Sequence, residues 1–103
     1  MLATTNVKFR LFGANGLPIL GALITAILTR QDTDGGSVCK IYSVQGVSNE
    51  DGECVLALWP NSRGTTGSQY SVSVASKLAV IDEYTITVPE SLSTVLVESI
   101  KST

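Results

Sequence analysis

The chain has 103 residues, 44% of them hydrophobic and 16% charged, with seven basic and nine acidic side chains, a net charge of -2 and no histidine. That length holds one domain, expected over residues 1–103, and the apolar content is too high for a disordered chain. The scattered basic residues offer no stripe for a nucleic-acid backbone, and without histidine neither a Ser-His-Asp nor a Cys-His nucleophile can be built, so the composition points to binding rather than catalysis.

Asn6 to Phe12 alternates, with Val7, Phe9 and Leu11 on one face and Lys8 and Arg10 on the other, which predicts a half-buried strand. Gly13-Ala14-Asn15-Gly16 supplies turn residues that tolerate positive φ. Leu17 to Leu28 is almost wholly apolar. At twelve residues it is short of the roughly 20 needed to span a bilayer, so no membrane partner is expected. Its β-branched Ile24, Thr25 and Ile27 favour a buried strand from about Ala22 to Thr29 over a buried helix or a signal segment.

Arg30 to Ser37 reads as a polar loop, Val38 to Val44 as a third strand, and Ser48 to Glu53 as a turn. Cys54 to Trp59 follows, with Cys54, Leu56 and Leu58 on one face and Val55, Ala57 and Trp59 on the other. Pro60 stops it, and Asn61 to Ser68 forms a long Gly, Ser and Thr loop. Gln69 to Ala75 places Tyr70, Val72 and Val74 against Ser71 and Ser73. Ile81 to Val88 does the same with Tyr84, Ile86 and Val88, and Ser91 to Thr103 suits a last short strand ending near Ile100. About seven short β runs separated by turn signals predict an all-β fold, a single small antiparallel sandwich of Ig-like or transthyretin-like type.

Several side chains invite sharper readings. Asp32 and Asp34 before Gly35-Gly36, and Glu50, Asp51 and Glu53 around Gly52, are oxygen-rich, but neither group has a calcium ligand ladder, so both read as solvated acidic turns with no metal. Asp82 and Glu83 are adjacent and so would not face one another as a catalytic pair. No cofactor motif is present in the sequence. Cys39 and Cys54 fall on neighbouring strands of an expected hairpin, on the face shared with Ile41 and Leu56, where a cross-strand disulfide is sterically conceivable.

Gly16-Leu17-Pro18-Ile19-Leu20-Gly21-Ala22 and Asp51-Gly52-Glu53-Cys54-Val55-Leu56-Ala57-Leu58 resemble two segments of the small transthyretin-like or carboxypeptidase-regulatory-like sandwiches. Leu58-Trp59-Pro60-Asn61, then Gly64-Thr65-Thr66-Gly67-Ser68-Gln69-Tyr70, then Tyr84-Thr85-Ile86-Thr87-Val88-Pro89-Glu90-Ser91, resemble the N-terminal domain of tail-fibre and tailspike proteins of tailed bacteriophages. The resemblance spans residues 7–100. It implies a virion attachment module, assembled in the bacterial cytoplasm, whose partners are other tail, fibre or capsid proteins and copies of itself, a trimer among the options. Such domains usually precede a long fibre, so the chain is expected to be either an excised domain or a stand-alone adaptor or decoration protein. A reducing cytoplasm also implies free thiols at Cys39 and Cys54.

The residues expected to meet a partner are Trp59, Asn61, Arg63, Thr65 and Tyr70. For Trp59 the alternatives are an exposed platform or a cap on the core, and for the loop a recognition surface or a solvated connector with flexible glycines. A carbohydrate-binding or adhesin module is the second functional reading, with Trp59, Tyr70 or Tyr84 stacking on sugar rings.

Overall fold

The computed structural model describes residues 4–13, 15–76 and 80–102, with no account of the side chains of Val80, Ile81 and Ser102. Ala14, at the first predicted turn, lies outside the described residues. The strands are β1 (Thr5–Arg10), β2 (Leu23–Leu28), β3 (Asp32–Asp34), β4 (Ser37–Cys39), β5 (Ser43–Val47), β6 (Glu53–Leu58), β7 (Tyr70–Ala75), β8 (Val80–Ile86), β9 (Val95–Leu96) and β10 (Lys101–Ser102). They form an all-β sandwich: a three-stranded sheet in the order β6-β1-β9, a five-stranded sheet in the order β10-β8-β7-β2-β5, and the small hairpin β3-β4. Among the described residues every ladder is antiparallel except β1 with β9.

Alternation explains the core. Val7 and Phe9 of β1, Ile24, Ala26 and Leu28 of β2, Leu56 and Leu58 of β6, and Tyr70, Val72 and Val74 of β7 are all buried between the sheets. Each buried Val, Leu, Ile or Phe among them contributes roughly 1.5–3 kcal/mol. At Gly46 of β5 the facing strand β6 leaves no room for a side chain: a Cβ there would lie 2.5 Å from Cys54 Sγ and 2.8 Å from Leu56 Cδ2. The β5–β6 turn is closed by Asn49, whose Oδ1 accepts the N–H groups of Asp51 at 2.9 Å and Glu53 at 3.0 Å.

Several expectations are corrected. The segment 38–44 is not one strand, because β4 folds back on β3 about the positive-φ pair Gly35-Gly36, and β5 starts only at Ser43. The polar stretch 30–37 is thus largely hairpin. Cys39 and Cys54 are not on paired strands: Cys39 pairs with Asp32 and Cys54 with Phe9, and both are buried free thiols. In the apolar run 17–28 only Ala22, Ile24, Ala26 and Leu28 are buried, leaving Leu17, Leu20, Leu23 and Ile27 exposed. The tail splits, β9 joining β1 in one sheet and β10 joining β8 in the other, with a 3-10 turn over Val97–Ser99 between them.

Candidate functional site

The loop after β6 is held down by buried polar side chains. Asp32 is 1% exposed, at the start of β3, with its carboxylate under residues 64–68. Oδ1 accepts the N–H groups of Thr33 at 2.8 Å, Thr65 at 2.8 Å and Thr66 at 2.9 Å. Oδ2 accepts the Ser68 N–H at 3.4 Å and the Ser68 hydroxyl. Burial pushes the Asp32 carboxyl up, but the bonds from Ser68, Thr66, Thr33 and Thr65 outweigh it and hold the group well below the usual carboxylate range. Gly64 is required for close approach: a Cβ there would overlap the Asp32 carboxylate.

Asn61 is the second tie. Its Nδ2 donates to the Ser68 carbonyl and its Oδ1 accepts the Val88 N–H, both at 2.6 Å, joining the two ends of the loop to the segment after β8. Pro60 and the 3-10 turn Asn61–Arg63 begin the loop. Trp59 is only 2% exposed and its Nε1 donates to Asp34 Oδ2 at 2.8 Å. Beneath it, the Tyr70 hydroxyl donates to the Trp59 carbonyl at 2.9 Å and meets the Tyr42 hydroxyl at 2.6 Å, the two rings packing edge to face.

Arg63 spans the outside of this assembly. Its Nε donates to Asp34 Oδ1 at 3.0 Å and its other end pairs with Glu90. The Trp59 hydrogen bond lowers the Asp34 carboxyl, burial opposing it and Arg63 reinforcing it, while Glu90 and Asp34 together raise the guanidinium. Thr65 is exposed, its hydroxyl 2.7 Å from that of Thr33.

Of the five expected partner-facing residues, the structure therefore brings all five to one end of the sandwich but exposes only Arg63 and Thr65. Trp59, Asn61 and Tyr70 are buried and hold the loop in place. The burial of Trp59 has a different origin from the one alternation suggests. Val55 and Ala57, its expected face-mates, are exposed, and Trp59 turns inward because the strand ends at Leu58. The loop is not a solvated connector either, and Asp32 and Asp34 are not solvated: both are buried polar anchors.

Asp32, Asp34, Ser68, Tyr42 and Glu90 were not among the expected site residues. The Asp-Thr-Asp-Gly-Gly spacing, which reads as a tight hairpin with both carboxylates on one face, carries the signal for the two aspartates. Tyr84, the remaining ring considered for sugar stacking, is half-buried in a cleft of about 410 Å³ and carries Lys101 Nζ 4.2 Å over its ring centroid. Trp59 and Tyr70 present no free ring face. Among the described residues no group of three or more His, Cys, Asp and Glu side chains is placed to hold a metal ion. No protein-family model matches the chain, and no curated protein matches it.

Proposed function

We propose that this chain is a non-enzymatic structural protein of a tailed bacteriophage virion, an attachment or adaptor module that docks a fibre or spike, or decorates the particle, through protein–protein contacts. The sequence resemblance over residues 58–61, 64–70 and 84–91 supports that reading. The observation that carries the reading is the immobilised loop of those same residues. Asp32 and Asn61 satisfy its backbone from below, so the exposed groups of Ser62, Arg63, Thr65 and Thr66 are held in place before any partner arrives. A preordered loop avoids the ordering cost of roughly 0.5–1.5 kcal/mol per immobilised side chain that a flexible one would incur on docking. The partners in this reading are other virion proteins and further copies of the chain.

Quantitative mass spectrometry of gradient-purified particles from the phage that encodes the chain tests this. The expected result is a fixed copy number per particle that survives further purification. Absence of the chain from infectious particles would overturn the proposal.

A further inference from the structure

We infer that β5 is a self-complementary docking edge through which two copies of the chain pair as an antiparallel, two-fold dimer. The ladder geometry identifies the free groups. In β2–β5 the Ser48 N–H donates to the Ala22 carbonyl and the Leu28 N–H to the Tyr42 carbonyl, so the bonded pairs of that register are Ile24 with Gly46 and Ala26 with Val44. The N–H and C=O groups of Ser43, Gln45 and Val47 consequently point away from β2. β5 is the outer strand of its sheet, and β6 packs over its face at Gly46 rather than along its edge.

Natural edge strands are usually guarded by charge, proline, a bulge or a covering segment. Ser43-Val44-Gln45-Gly46-Val47 has no charged residue and no proline, and its ladder with β2 runs without a bulge. The β6 edge differs, since its outward-facing Glu53 is paired with Lys8 and Arg10.

A second copy fits this edge better than an unrelated chain because the sequence matches itself about Gln45. Antiparallel pairing centred there sets Gln45 opposite its own copy and Ser43 opposite Val47, using every free backbone group of the strand. Val44 of each copy then faces Gly46 of the other, bulk against no side chain. On the outer face the small Ser43 lies between Val47 of one copy and Ile27 of the other, residues that are 59% and 42% exposed in the single chain. The same two-fold brings the end of the strand nearest the exposed Lys40 toward the end nearest the exposed turn Glu50-Asp51 of the second copy. Among the described residues none of these three charges has an ion-pair partner within the chain.

This inference rests on the self-association part of the proposed function and is tested separately from virion incorporation. Sedimentation equilibrium of the purified chain is expected to give a dimer that dissociates more readily at high salt. Gln45→Lys, which sets two lysines directly opposite, weakens it about tenfold or more. Gln45→Glu does the same, and an equimolar mixture of the two variants restores the dimer. In hydrogen exchange, the amides of Ser43, Gln45 and Val47 slow as wild-type protein concentration rises and stay fast in Gln45→Lys. A strict monomer, a trimer, or a dimer indifferent to Gln45→Lys with those three amides still exchanging fast would each overturn the inference. A dimer absent from virions would leave it standing while removing the virion proposal.

Discussion

Replacing Asp32 with asparagine removes one charge from the centre of the loop assembly while keeping the shape of the side chain. The asparagine carbonyl can still accept the N–H groups of Thr33, Thr65 and Thr66, but as a neutral acceptor. A hydrogen bond to a charged group contributes roughly 1.5–3 kcal/mol and a neutral one roughly 0.5–1.5 kcal/mol. At the other oxygen the new amide faces the Ser68 N–H, donor against donor, although the Ser68 hydroxyl can rotate to accept. After allowing for the relief of burying a charge, the net loss is about 2–3 kcal/mol. With a urea slope of about 1–1.5 kcal/mol/M for a domain of this size, the unfolding midpoint falls by about 2 M. The difference between the two proteins also depends on pH. The unfolded Asp32 carboxyl takes up a proton near its ordinary value of 3.8, whereas the folded one, held far lower, does not. Its contribution is therefore complete above about pH 5, declines as pH falls through 4, and continues to decline toward the depressed folded value. Urea titrations of both proteins from pH 7 to pH 2.5 measure this directly. A difference under about 0.5 kcal/mol at pH 7, or one that does not shrink on acidification, would refute the role given to Asp32.

Gly64→Ala forces a methyl group onto the Asp32 carboxylate although its φ is ordinary for any residue, so a loss of about 2–3 kcal/mol is expected in the same titration; no loss would mean the contact is slack. Tyr70→Phe strips the Trp59 carbonyl and the Tyr42 hydroxyl of a buried partner and lowers unfolding free energy by about 1–2 kcal/mol, and Tyr42→Phe added to it costs about 1 kcal/mol more because the Tyr42 hydroxyl also accepts the Trp59 N–H at 3.2 Å. Burial raises the thiols of Cys39 and Cys54, with the nearby Asp32 and Asp34 charges adding to the effect at Cys39. Both should react with a thiol reagent slowly in the native protein and rapidly in urea, and the unreduced intact mass should show two free thiols; a mass two hydrogens lighter would contradict the placement.

The parts of the fold that the sequence made legible are those with one wet and one dry face. β1, β7 and the second half of β8 each set apolar side chains against Lys, Arg, Ser or Thr, and the structure buries the expected side at Val7, Phe9, Tyr70, Val72, Val74 and Ile86. Period-2 reasoning fails where a strand ends unannounced. Trp59 continues the alternation on paper, but Leu58, Trp59, Pro60 and Asn61 are all buried in succession because the chain turns in across the end of the sandwich. It fails again at 38–44, where two short strands in different sheets share one β-rich stretch. The loop assembly was illegible for another reason. Asp32 and Asp34 have no local partner beyond Thr33 and so read as solvated, whereas the donors that justify their burial come from Trp59, Arg63, Thr65, Thr66 and Ser68, more than twenty residues along the chain. Only the folded chain brings those donors to the carboxylates.

A cryo-EM reconstruction of the assembled particle tests the docking claim most directly. Copies of this sandwich are expected at fixed positions, with the end formed by Arg63, Thr65 and Thr66 covered by another virion protein. Particles in which no density fits the sandwich, or in which that end faces solvent while a different surface makes every contact, would contradict it.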